Sequence, residues 1–111
     1  MKKRINSFRA AFIGIAESFR GQWNIKFHFF VAAIAIALSV FLELRTGRFC
    51  IILLCCGLVI SMELLNTAIE KLCDLVEPNQ NEKVRVIKDI SAAAVLIASI
   101  VALAVGLMIF V

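Results

Sequence analysis

Glu63, Asn66, Glu70 and Asp74 interrupt an apolar stretch of the chain at spacings of three, four and four residues. On an α-helix this spacing stacks the four polar side chains along one stripe. Glu63 is the sole charged residue between Ile51 and Leu65. An ionisable side chain inside a spanning helix costs about 2.5–3.5 kcal/mol on insertion scales, so it faces protein or water and marks a functional position. Three carboxylates on one stripe repel each other unless a cation or basic side chains sit among them. Lys88 and Asp89, at the start of the next apolar segment, fall at a similar depth. This combination suits a divalent metal with a phosphorylated ligand: Mg²⁺ prefers carboxylate and phosphate oxygens, and lysine neutralises phosphate. The plainer reading is that the stripe only joins helices by hydrogen bonds, as polar residues do inside membranes. Four residues in register, with a facing Lys–Asp pair, favour a site. The sequence has neither a Gly-x-x-x-x-Gly-Lys loop nor a glycine-rich kinase loop, so no ordinary motif names a nucleotide.

The elements that must position these residues follow from composition. The chain has 111 residues, enough for one domain, and 62% are apolar, against roughly 45–50% in soluble domains. A soluble protein this small cannot hide that much apolar surface, so lipid or other subunits must cover it. The net charge is +4, but the basic residues flank apolar segments, where headgroups and the positive-inside rule place them. A nucleic-acid partner is not expected, since that needs a basic stripe on a soluble surface. Cys50, Cys55, Cys56 and Cys73 form no C-x-x-C pair and have no histidine set at zinc spacing, so they read as small apolar residues. No cleavable secretory signal is visible, and the N-terminus is expected to be retained.

The expected fold is all-α and integral to a membrane: an N-terminal amphipathic surface helix and three transmembrane helices. Over residues 2–20, Ile5, Phe8, Phe12, Ile15 and Phe19 share one helical stripe amid basic residues, the pattern of a helix lying in the membrane interface. A hinge over residues 21–24 carries Trp23, placed as an interfacial anchor. The first span is predicted over about 27–44, a tight turn over 45–48, and the second helix over about 49–76. That helix, about 28 residues and roughly 42 Å long, outruns the hydrocarbon core and projects into water. Glu77-Pro78 stops it. The third span is predicted over about 84–111. The N-terminal arm carries six Lys and Arg and residues 71–89 four, against two at 45–48. The N-terminus and second loop are therefore expected in the cytoplasm and the C-terminus outside.

Met62-Glu63-Leu64-Leu65-Asn66-Thr67-Ala68-Ile69-Glu70, then Asp74, then Lys88-Asp89 before Ala92-Ala93-Ala94-Val95-Leu96-Ile97, resembles the signature of the small prokaryotic diacylglycerol kinase family, which includes the undecaprenol kinases of Gram-positive bacteria. The resemblance covers nearly the whole chain, and the E-x-x-N-[ST]-A-I-E-x-x-x-D string is specific. It implies a homotrimer in a bacterial inner membrane, with active sites shared between neighbouring subunits. It also implies transfer of the γ-phosphate of Mg-ATP to a lipid hydroxyl at the cytoplasmic interface. Carried over residue by residue, it makes Glu63 the general base and Glu70 a ligand of Mg²⁺ on the ATP phosphates. Asn66 would orient the reacting groups. Lys88 and Asp89 would contact the nucleotide, with Asp74 and Lys3 beside it.

Gln22 departs from that pattern, standing where the family has a second metal-binding glutamate. Its amide oxygen can coordinate Mg²⁺ without charge, and Glu17 is the other candidate ligand. Asn24-Ile25-Lys26-Phe27-His28 resembles the N-x-[RK]-x-H stretch of the undecaprenol-kinase branch, which tilts the expected acceptor towards a polyprenol over diacylglycerol. His28 itself reads as an interfacial residue capping the first span. The rival class is a non-enzymatic helical membrane oligomer, a decayed relative whose stripe only fixes helix contacts.

Overall fold

In a computed structural model, residues 2–20 and 23–111 are described, with side chains over residues 4–20 and 24–111. Gln22 and the side chains of Lys3 and Trp23 lie outside the described residues. Four helices follow one another: α1 (Lys2–Ser18), α2 (Trp23–Phe41), α3 (Thr46–Val76) and α4 (Glu82–Phe110). No strand occurs among the described residues. Helices α2, α3 and α4 are each long and apolar enough to cross a membrane.

Lengths set how the helices sit relative to one another. At 1.5 Å per residue, α2 is roughly 28 Å long, α3 about 46 Å and α4 about 44 Å, against a hydrocarbon core of about 30 Å. The connection between α2 and α3 is short, so the surplus of α3 and α4 projects together at the opposite end. Counted from Thr46, α3 clears the core at roughly residue 66.

The α2–α3 turn runs over Leu42–Arg45, three residues earlier than the predicted turn at 45–48; Thr46, Gly47 and Arg48 already belong to α3. Backbone chemistry explains the shift. Leu44 N–H donates to the Ser39 carbonyl at 3.1 Å and Glu43 N–H to that of Val40 at 3.1 Å, the paired bonds of a Schellman ending. Glu43 supplies the left-handed residue this ending requires, at φ 52°, where glycine is the usual occupant. The apolar run continues to Leu44, but α2 ends at Phe41 because the backbone reverses there.

At the other end, Glu77 is extended (φ −142°, ψ 93°), as the residue before Pro78 should be. Asn81 then caps α4: its Oδ1 accepts from Lys83 N at 2.9 Å and Val84 N at 3.4 Å. Glu82 places negative charge in the first turn, where the helix dipole favours it.

Helix α3 is the centre of the bundle, packed against α4 along its length and against α2. The molecule measures 50 × 40 × 21 Å, so it is about two helix diameters thick. Ile25, Ala32, Ile52, Val59 and Ala98 are buried, and the alanines let the helices approach closely. Two hydroxyls inside the spans are satisfied on their own helices. Ser39 Oγ donates to the Ala35 carbonyl at 2.7 Å and Thr67 Oγ1 to that of Glu63 at 3.0 Å, so neither needs a partner helix.

Most large apolar side chains face outward, among them Leu54, Leu96 and Leu103, which water would not tolerate and lipid would. On α1, Ile5, Phe8 and Phe12 are also exposed. That helix touches the bundle at α3, and Phe19 beyond its end packs on Phe29 of α2 with ring centroids 5.0 Å apart.

Candidate active site

The polar stripe of α3 grades from buried to exposed along its length. Glu63 is only 2% exposed; Asn66 and Thr67 are buried, Glu70 is half-buried and Asp74 is exposed. The gradient follows from the lengths above: Glu63 sits within the bundle and Asp74 on the projecting part of α3.

The buried end is under-satisfied. Glu63 Oε2 and Asn66 Oδ1 are inaccessible and have no hydrogen-bond partner. Buried carboxylate and amide oxygens without partners cost stability, and such atoms in a folded protein call for an explanation. Asn66 directs its amide outward instead, Nδ2 donating to Glu70 Oε1 at 3.4 Å. One group approaches Glu63 from outside α3: His28 of α2, whose Nε2 lies 3.6 Å from Oε2.

This approach was not foreseen from the sequence, which left His28 as a residue at the mouth of the first span. The available signal was hairpin register. His28 lies nearly four turns before the α2–α3 connection and Glu63 nearly five after it, at about 3.6 residues per turn. Side chains lean towards the N-terminus of their helix, which returns the Glu63 carboxylate to the level of His28.

At the projecting end, Lys88 Nζ donates to Asp74 Oδ1 at 2.6 Å, tying α4 to α3. Asp89 faces Arg85, which bonds it at 3.0 Å and also pairs with Glu82. Lys88 and Asp89 are therefore neighbours in sequence with different partners. Between the two helix ends lies a polar hollow of about 540 Å³ lined by Asp74, Glu77, Asn81, Arg85 and Lys88 among others. Glu17 does not line this hollow; it pairs on the surface with Arg20 at 3.8 Å.

Among the described residues no three metal-ligating side chains converge. The donor chemistry nevertheless fits Mg²⁺, which retains waters and is held by one or two carboxylates with the phosphates of its ligand. Glu70 offers a half-exposed carboxylate, and the orphaned Asn66 Oδ1 is a second oxygen donor one turn away. Zinc is not favoured: Cys55 and Cys56 are half-buried on the apolar side of α3 and free, as are Cys50 and Cys73, and no histidine accompanies them at zinc spacing.

A second, apolar groove of about 560 Å³ opens between α2, α3 and α4, running past Val59 and Ile52 towards Phe110, with His28 on its wall. The arrangement thus joins an apolar groove, a buried carboxylate–imidazole pair and a hydrophilic end with a paired lysine. It can accept an amphiphile from one side and an anionic ligand from the other.

Comparison with known proteins agrees with this chemistry. Residues 9–110 match the family described as prokaryotic diacylglycerol kinase. A diacylglycerol kinase of Synechocystis sp. is 38% identical over 101 residues, 90% of this chain; the chain spans 58% of that relative's length. An undecaprenol kinase of Bacillus subtilis is 33% identical over 113 aligned positions, covering 98% of this chain and 92% of the relative. With a match across nearly its whole length and the polar stripe in place, the chain belongs to the prokaryotic diacylglycerol kinase family.

Proposed function

We propose that this protein is a membrane lipid kinase that transfers the γ-phosphate of ATP, with Mg²⁺, to the hydroxyl of undecaprenol or diacylglycerol. The observation that carries the reading is the buried Glu63 carboxylate, unpartnered at Oε2 and set where α3 passes from the apolar bundle to its projecting end. A lipid hydroxyl arriving at this depth meets a carboxylate largely withdrawn from solvent.

In the reaction Glu63 accepts the hydroxyl proton as the lipid oxygen bonds to the γ-phosphorus. The bond from that phosphorus to the bridging oxygen breaks, and ADP leaves with the electron pair. Such transfers are catalysed chiefly by positioning and charge stabilisation. Asn66 orients the reacting groups. Glu70, with Asn66 Oδ1 one turn away, would hold Mg²⁺, which would supply positive charge for the phosphates. Lys88 neutralises phosphate, Asp74 keeps it in place across the helix gap, and Asp89 and Lys3 complete the nucleotide contacts. Gln22 or Glu17 would supply the further metal oxygen.

The reading extends to assembly and placement. The outward apolar faces of the spans support cover by lipid or neighbouring subunits, and the family resemblance extends this to a homotrimer with shared sites. The exposed Ile5, Phe8 and Phe12 support an α1 lying in the interface. Ten of the twelve Lys and Arg fall in the N-terminal arm and in residues 71–89, which supports a cytoplasmic site in a bacterial inner membrane, with the C-terminus outside. Labelled ATP with Mg²⁺, and each lipid in parallel mixed micelles, tests the function. One labelled lipid identifies the acceptor; no label on either lipid, with folded protein, rejects the reading.

A further inference from the structure

We infer that His28 is a positioning residue for Glu63, holding one carboxylate oxygen so that the other is presented to the acceptor hydroxyl. The inference rests on the kinase reading for its catalytic consequence and on geometry for the pair itself.

Glu63 Oε2 is fully buried with no hydrogen-bond partner, an arrangement that persists only where something offsets the cost. The His28 imidazole, itself largely buried, brings Nε2 to 3.6 Å from that oxygen. The gap is longer than a hydrogen bond and closes with a small rotation of either side chain. Phe27, its neighbour on α2, meets the ring edge-on with centroids 5.8 Å apart. Around Glu63, α2 contributes His28 and α3 itself contributes Glu70 two turns along; among the described residues no other basic side chain lies within 4 Å of the carboxylate. Glu70 repels the carboxylate, and His28 is the neighbouring-helix donor that approaches it among the described residues. An imidazole N–H bound to one oxygen fixes the carboxylate plane, the role a buried partner plays for many catalytic acids and bases.

Two readouts on the full-length protein in mixed micelles test this. The first compares phosphate transfer by the wild type, His28→Ala, His28→Gln, Glu63→Gln and the double variant His28→Ala/Glu63→Gln. His28→Ala is expected to lower kcat about 10- to 100-fold, below the full value of a general base, with KM for ATP within about twofold. His28→Gln, whose amide N–H reaches the same region, should recover most of that loss. In the Glu63→Gln background His28→Ala should cost nothing more, because the two residues act as one unit.

The second readout needs no turnover. His28 is the only histidine in the chain, so its ring nitrogens give an unambiguous ¹⁵N signal, which Glu63→Gln should move. Full activity in His28→Ala, multiplicative losses in the double variant, or an unmoved ¹⁵N signal would each overturn the inference. Equal loss in His28→Ala and His28→Gln with a lowered unfolding temperature would also overturn it, in favour of a packing role. An inactive wild type refutes the kinase reading and with it the catalytic consequence, whereas an active wild type with an unmoved signal refutes the pair alone.

Discussion

Replacing Glu63 by glutamine separates a catalytic stripe from a merely adhesive one. The change keeps the side chain's shape, so it leaves no cavity at a position only 2% exposed. The hydrogen bond from Thr67 Oγ1 goes to the Glu63 backbone carbonyl at 3.0 Å and survives the substitution. Oε2 has no hydrogen bond to lose; what disappears is the charge, with its attraction to His28 at 3.6 Å and its cost of insertion, about 2.5–3.5 kcal/mol for a charged residue at a helix centre. These two oppose each other, so folding stability should stay level or rise. Loss of a general base, by contrast, lowers the rate about 10²- to 10⁴-fold, equivalent to roughly 2.7–5.5 kcal/mol in the barrier. Transfer from labelled ATP gives the rate, and thermal scanning with cross-linking in the same micelles gives stability and oligomeric state. Activity within about threefold of wild type, or loss of an oligomer that the wild type is found to form, with activity lost only as a consequence, would refute the reasoning and favour a stripe that only joins helices.

Glu70→Gln should raise the Mg²⁺ concentration for half-maximal rate severalfold or more, read by metal titration, whereas chelation of Mg²⁺ should abolish turnover in both proteins. Gln22→Glu should lower that concentration, and an unchanged titration would remove position 22 from the metal site. Lys88→Met should raise KM for ATP about tenfold, the effect of one charge-assisted contact. Its unfolding temperature should barely change, because its pair with Asp74 is exposed and such pairs contribute about 0–1 kcal/mol. Glu43→Gly should stabilise the protein by about 1 kcal/mol, relieving a left-handed residue with a Cβ, and Asn81→Ala should destabilise it by about 1 kcal/mol through loss of the α4 cap; thermal unfolding in detergent checks both.

Long apolar runs made the spanning helices legible in the sequence, because a 20-residue apolar stretch has few other uses. The α2–α3 turn was not legible in the same way. Residues 27–44 are nearly uniformly apolar, and Arg45-Thr46-Gly47-Arg48 carries the polar and glycine residues that ordinarily mark a reversal. The chain instead reverses at Glu43, a residue with no turn preference, and takes the glycine at 47 into α3. Composition reports where a chain tolerates a turn, and the Schellman bonds at Ser39 and Val40 report where it makes one.

The candidate site divides along the same line. Periodicity placed Glu63, Asn66, Glu70 and Asp74 on one face, because helical spacing is a property of a single segment. What stands opposite that face depends on register between helices, and neither the approach of His28 to Glu63 nor the separate pairing of Lys88 and Asp89 follows from spacing within α3. Register also gives the stripe its direction. From Glu63 to Asp74 it runs eleven residues, roughly 16 Å, from a buried, unpartnered oxygen to an exposed, paired one. On the lipid-kinase reading that gradient matches the two substrates: the acceptor hydroxyl comes from the apolar side and must be deprotonated out of water, and the triphosphate comes from water and needs cations it can reach. A stripe serving only as helix adhesive would satisfy its most buried members first. Here the most buried members, Glu63 and Asn66, are the ones with oxygens left unsatisfied.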